Sequence, residues 1–133
     1  MRMIRLIFYF LSIMLTLSAA DPSGQVAAQP AVLSAEAENV LRIGDLARIE
    51  LDSNATTGYT WVAEENEYVT LVSSEYESPD TMMVGAPGTQ VLTFLAVKEG
   101  STALVLEYAR PWETDTAPAQ TLIIKVTVLQ ANP

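Results

Sequence analysis

The chain has 133 residues, 16 acidic against seven basic, for a net charge of −9, and contains neither cysteine nor histidine. Without histidine the usual general base and the commonest metal ligand are gone, and serine or cysteine triads and ordinary zinc sites go with them. The acidic balance excludes the basic footprint that a nucleic-acid partner needs, and with no disulfide available the fold must rest on its hydrophobic core.

Taken in chain order, residues 1–20 read as a secretory signal peptide. Arg2 and Arg5 form a basic start, Leu6 to Leu17 is an almost unbroken apolar run, and Ser18-Ala19-Ala20 supplies small residues before the polar Asp21-Pro22-Ser23-Gly24. About a dozen apolar residues fall short of the ~20 that a spanning helix needs, so the expectation is cleavage with no stable membrane insertion afterwards. Val26-Ala27-Ala28 is a second small-residue site, and no cysteine follows the run to carry a lipid. The expected destination is the periplasm or exterior of a bacterium, or a secretory or lysosome-like lumen in a eukaryote. Losing Arg2 and Arg5 leaves five basic residues against sixteen acidic ones, a net charge of −11. Such a charge reports solubility more than it names a partner. Residues 21–34, rich in Ala, Pro, Gln and Ser, read as a flexible tether. The remaining 35–133 suffice for one core and are too few for two domains.

From there the pattern is strand after strand. Residues 35–41 could supply one or two helical turns, but Asn39 and Val40 favour helix little, and the stretch reads as an opening strand. Ala47, Ile49 and Leu51 alternate with Arg48 and Glu50, the two-residue period of a half-buried strand. Tyr59 and Trp61 alternate with Thr60 and Val62, and Val69 to Val72 begins a β-branched piece running on towards Tyr76. Val91 to Val97 is apolar on both faces, as in a strand near the middle of a sheet. Thr102, Leu104, Leu106 and Tyr108 share one face of the next strand, and Leu122, Ile124, Val126 and Val128 one face of the last. Between 97 and 102, Gly100 supplies the positive φ of a tight hairpin. Six or seven short strands separated by turns predict an all-β, immunoglobulin-like β-sandwich of about seven strands; a small closed barrel is the alternative.

Three connections are unlike ordinary turns. The first, Asn54-Ala55-Thr56-Thr57-Gly58-Tyr59, sets two stiff, hydrogen-bonding threonines at its tip; Asn54-Ala55-Thr56 is also a glycosylation sequon, relevant in a eukaryotic secretory pathway. The second, Met82-Met83-Val84-Gly85-Ala86-Pro87-Gly88-Thr89, leads adaptable methionines into a bend, unless Met82 and Val84 cap the core. The third, Arg110-Pro111-Trp112-Glu113, opens a connection of about ten residues, longer than a typical hairpin loop. Arg and Trp side by side are residue types that dominate binding hot spots, unless the Trp folds back over the core with Arg110 stacked on it. In an immunoglobulin-like sandwich, loops in alternate connections emerge at one end. The three segments would then form one binding surface.

In order and separation these segments resemble the chagasin-type inhibitors of papain-like cysteine peptidases. That family carries Asn-Pro-Thr-Thr-Gly-Phe/Tyr, then Gly-x-Gly-Gly, then Arg-Pro-Trp. The resemblance covers residues 35–129. It implies an immunoglobulin-like sandwich that inhibits reversibly and competitively, without turnover, cofactor or metal, as a monomer whose partner is a papain-like cysteine peptidase of the same organism, a host or a competitor. The implied peptidase-binding residues are Asn54, Ala55, Thr56, Thr57, Gly58, Tyr59, Gly85, Ala86, Pro87, Gly88, Arg110, Pro111 and Trp112. Thr56 and Thr57 would sit nearest the catalytic cysteine, Gly85 to Gly88 on one side of the cleft, and Arg110 with Trp112 on the other. Ala55 stands where the family has proline, and Pro87 where it has glycine; proline cannot take positive φ.

Two other functions compete. An exported carbohydrate-binding or adhesion module could use Tyr59 and Trp112 as a stacking platform. A carboxylate enzyme could draw on Glu64, Glu65, Glu67 or Asp115, but their spacing gives no acid and base paired across a cleft, and clustered acids usually form a solvated face.

Overall fold

Alternating side chains settle into strands wherever one face can be covered. Eight segments do so in the computed structural model, which describes residues 29–80, 83 and 85–132. The signal peptide expected over 1–20, the tether up to residue 28, and Met82 and Val84 of the second loop lie outside the described residues. The strands are β1 (Ala31–Val32), β2 (Asn39–Arg42), β3 (Leu46–Ser53), β4 (Thr60–Ala63), β5 (Val69–Glu77), β6 (Gly88–Ala96), β7 (Gly100–Ala109) and β8 (Gln120–Leu129).

They form two four-stranded sheets, ordered β1-β3-β6-β5 and β2-β8-β7-β4. β1 runs parallel to β3 and β2 parallel to β8, while all other pairings are antiparallel. This is the expected sandwich, with one more strand than the seven anticipated, the two-residue β1. Its core joins Ile49, Leu92 and Phe94 from the first sheet to Leu104, Leu106, Ile124 and Val126 from the second. β6 lies inside its sheet, and so its run is apolar on both faces: Leu92, Phe94 and Ala96 are buried inward, and Val91 on the opposite face is also buried.

The folded body begins earlier than residue 35, which corrects the boundary of the tether. Leu33 is buried in the core, and its N–H donates to the Arg48 carbonyl at 2.8 Å. The opening strand is also shorter than expected. Residues 35–37 bend, and β2 starts only at Asn39. The cause is the Asn39 side chain: its Oδ1 accepts from Ser34 N–H, and its Nδ2 donates to the carbonyls of Ser34 and Lys125, each at 2.8 Å. One buried amide thus carries the chain across from the first sheet to the second.

Three further features position the loops. Gly100 takes the positive φ expected of it, +147, and the Tyr68 ring fills the space a Cβ would need. The turn is not the expected hairpin, because β6 and β7 belong to different sheets and the chain crosses between them here. β5 is an edge strand whose register against β6 shifts between Leu71 and Ser73, leaving Val72 as an extra residue. The amide of Gln90, buried on β6, reaches across to β4 in the other sheet. Its Oε1 accepts from Trp61 N–H at 2.8 Å and its Nε2 donates to the Trp61 carbonyl at 2.9 Å.

Candidate functional site: a three-loop edge

The connections β3–β4, β5–β6 and β7–β8 carry the three unusual segments, and hydrogen bonds join the first of them to each of the others. Loop 1 turns through a short 3-10 helix, Ala55–Thr57. Asn54 is extended (φ −109, ψ 99) and caps it: its Oδ1 accepts from Thr56 N–H at 3.1 Å and from the Thr56 hydroxyl at 2.6 Å. The Thr57 hydroxyl donates to the Asn54 carbonyl at 2.7 Å. Both threonine hydroxyls are therefore spent inside the loop, and the two side chains stand exposed at a stiff tip. Gly58 ends the turn in the left-handed region (φ +83), and a Cβ there would overlap the Trp112 indole.

In loop 2 the left-handed residue is Gly85, at φ +82. The left-handed position thus falls on a glycine, and Pro87, whose ring fixes a negative φ, follows two residues later. Met83, Gly85 and Pro87 are exposed and Ala86 half-buried. Gly88 is different: it is buried as the first residue of β6, opposite Ser53, with the Glu77 carbonyl and the Tyr76 ring where a Cβ would go. Of the four residues expected to line a cleft, the structure puts three on the edge and one inside the sheet.

Loop 3 opens with a turn in which Glu113 N–H donates to the Arg110 carbonyl at 3.0 Å, and Pro111 occupies the second position that suits its fixed φ. Trp112 follows and remains 67% exposed, resting against Gly58. It does not fold over the core. Arg110 stacks on Tyr59 instead of Trp112, its guanidinium carbon 4.4 Å from the ring centroid. Its Nε donates to the Thr57 carbonyl at 2.9 Å, and its Nη1 pairs with Glu113 at 3.3 Å. Tyr59 in turn stacks on Tyr108 with centroids 5.3 Å apart, and Tyr108 lies 5.1 Å from buried Trp61. The Tyr108 phenol oxygen accepts from Asn54 N–H at 3.0 Å, and Asn54 Nδ2 donates to the Gly85 carbonyl at 2.8 Å.

All the expected site residues but Gly88 thus lie in the three loops of this edge, though Arg110 is largely committed to internal contacts. Tyr108 was legible only as a core-face residue of β7, and nothing local to it predicts that it holds loop 1. Gln90 had one signal, a polar residue sharing the inward face with Leu92, Phe94 and Ala96. The carboxylates that could have suggested catalysis are elsewhere. Glu64, Glu65 and Glu67 rim a groove of about 510 Å³ on the open side between β4 and β5, with Glu67 paired to Lys98 at 2.8 Å. Asp115 is exposed in loop 3. Among the described residues no three acidic, His or Cys side chains converge as a metal site, and no helix is long and apolar enough to cross a membrane.

Residues 40–126 match the model of a family described as chagasin family peptidase inhibitor I42. The chain is 37% identical over 76 residues to chagasin of Trypanosoma cruzi, spanning 53% of this chain and 69% of that protein. It is 31% identical over 91 residues to amoebiasin-2 of Entamoeba histolytica, spanning 66% of this chain and 74% of that protein. Its fold is similar to the crystal structure of the cysteine protease inhibitor EhICP2 of Entamoeba histolytica, with TM-score 0.64 and 28% identity, covering 74% of this chain and 94% of the other. A further similar fold, at TM-score 0.52 and 23% identity over 79% of this chain and 95% of the other, is PbICP-C, solved in complex with falcipain-2.

Proposed function

Because this chain belongs to the chagasin family of peptidase inhibitors, we propose that its three-loop edge enters the active-site cleft of a papain-like cysteine peptidase and blocks it competitively. As a member of that family it is an inhibitor and not an enzyme. The supporting observation is a division of labour within the edge. Asn54, Arg110 and Tyr108 spend their polar groups holding the loops together, while Thr56, Thr57 and Trp112 stand exposed. An edge ordered before contact loses little conformational freedom on binding, the cost that most weakens loop-mediated recognition. Thr56 and Thr57 would approach the catalytic cysteine, loop 2 one wall of the cleft, and Trp112 the other. The apolar run of residues 1–20 supports action outside the cytosol. Tyr59 already stacks with Tyr108 and carries Arg110 over its ring, which argues against a sugar-stacking platform of Tyr59 and Trp112.

The direct test is titration of the protein from Asp21 onward against papain and a cathepsin L-like enzyme. Competitive inhibition at or below micromolar concentration is expected, and its absence from both enzymes at that concentration would overturn the proposal.

Position 55 offers a second test. Ala55 is the first residue of a helical turn, where proline fits well, and Asn54 before it already has the extended backbone that a residue preceding proline adopts. Ala55→Pro is expected to stabilise the protein by about 0.4–1 kcal/mol through the unfolded state. Because loop 1 is already held by its own hydrogen bonds in the folded protein, the inhibition constant should change little. A lowered urea midpoint would show that loop 1 cannot accommodate the ring.

A further inference from the structure

Asn54 ties loop 1 to loop 2 through its side chain and to the end of β7, just before loop 3, through its backbone. Its backbone N–H donates to the phenol of Tyr108, two residues before loop 3. Its Oδ1 receives Thr56 N–H and the Thr56 hydroxyl, and its carbonyl receives the Thr57 hydroxyl, all within loop 1. Its Nδ2 donates to the Gly85 carbonyl of loop 2. The chemistry of the neighbours fixes the orientation of the amide. A carbonyl oxygen can only accept and a backbone N–H can only donate, so nitrogen must face Gly85 and oxygen must face Thr56. Aspartate or serine could cap the turn, but aspartate could not donate to Gly85, and the serine hydroxyl is a shorter arm. The residue is half-buried, with its hydrogen-bonding groups turned to its own chain.

We infer that Asn54 is a positioning residue: it registers loop 2 and the end of β7 against loop 1 and acts on the peptidase through the loops so held, without its side chain touching the enzyme. This rests on the inhibitory function proposed above and assigns a role within it. A residue that sets the population of binding-competent loops acts on the association rate, because the apparent affinity falls by the competent fraction. A residue that contacts the enzyme acts mainly on dissociation.

Two substitutions separate these. Asn54→Asp keeps the size of the side chain and its acceptors for Thr56 while removing the donor to Gly85. Tyr108→Phe keeps the ring stack and removes the acceptor for Asn54 N–H, without adding charge. Each is made in the full exported chain, and two quantities are read. In the free protein, hydrogen exchange of the Ala86 amide should accelerate about two- to tenfold in Asn54→Asp, the range expected for one lost hydrogen bond, while exchange in β7 and β8 stays unchanged. Against papain, the association rate should fall by a similar factor with dissociation nearly constant. Tyr108→Phe should show the same kinetic split, with faster exchange at the Asn54 amide in place of Ala86. Unchanged exchange at Ala86 in Asn54→Asp, or a rise in dissociation alone, overturns the positioning role. The exchange measurement needs no peptidase. A protein that failed to inhibit papain would therefore sink the proposed function and leave the positioning role to be decided by exchange.

Discussion

Replacing Trp112 with alanine is expected to raise the inhibition constant about 30- to 1000-fold, corresponding to the 2–4 kcal/mol of an aromatic hot spot. Three structural facts make Trp112 the residue to lose. It is 67% exposed in the free protein, so most of its apolar surface remains to be buried by a partner. It follows Pro111 in a hydrogen-bonded turn and leans on Gly58, so its rotamer freedom is already reduced. And its neighbour Arg110 is occupied with Thr57, Glu113 and Tyr59, leaving less for the arginine to offer across an interface. The same exposure predicts a control: folding stability should change little, within the ~0.5 kcal/mol usual at surface sites. An inhibition constant that does not move in Trp112→Ala, with the protein still folded, would remove Trp112 from the interface.

The largest effect on folding should come from Gln90→Leu. Gln90 is buried at 4% exposure, yet all of its amide is used. Besides its two bonds to the backbone of Trp61 it accepts from the Thr60 hydroxyl at 3.2 Å and donates to the Ser74 hydroxyl at 3.0 Å. β4 has only four residues and pairs with β7 alone. On its open side the Gln90 amide supplies the donor and acceptor that a neighbouring strand would have given. Leucine fits the space but leaves a buried N–H and C=O of Trp61 unpaired, at about 1–3 kcal/mol each. A loss of about 2–6 kcal/mol is large against the 5–15 kcal/mol that hold a typical domain. The expected reading is a urea midpoint about 1–2 M lower with an unchanged slope. A midpoint within error of the parent protein would mean that the bridge is replaceable, for instance by water.

Legibility in the sequence followed the range of the physics involved. Alternation of apolar and polar residues is a local signal, and it suffices to place β3, β7 and β8, whose faces are covered from one side. The doubly apolar run from Val91 locates β6 inside a sheet for the same reason. The three loops are legible because unusual residues sit together: two threonines, a bend rich in glycine, and Arg-Pro-Trp. Contacts between distant positions leave no such trace. Gln90 binds Trp61 across 29 residues and Asn54 binds Gly85 across 31. Gln90 stands out only as a polar residue on an inward face, and nothing in either pair names the partner. Residues 31–34 fail as a tether for a related reason. Their composition is that of a linker, and only the presence of Arg48 and Asn39 at the right distance turns them into a strand and a buried Leu33.

The shifted register of β5 has a consequence for self-association. A nine-residue edge strand with Leu71 and Val72 exposed is a template on which a second chain could lay itself down and start a stack. The extra residue at Val72 interrupts the row of outward N–H and C=O groups, because a bulge bends and twists the strand locally. Beyond it, Glu75 and Glu77 carry like charge to any copy that tried to dock in register. The edge is thereby divided into two short stretches, each a poor nucleus for a fibril. For a chain that must stay dispersed to meet an enzyme, this irregularity is a safeguard against aggregation.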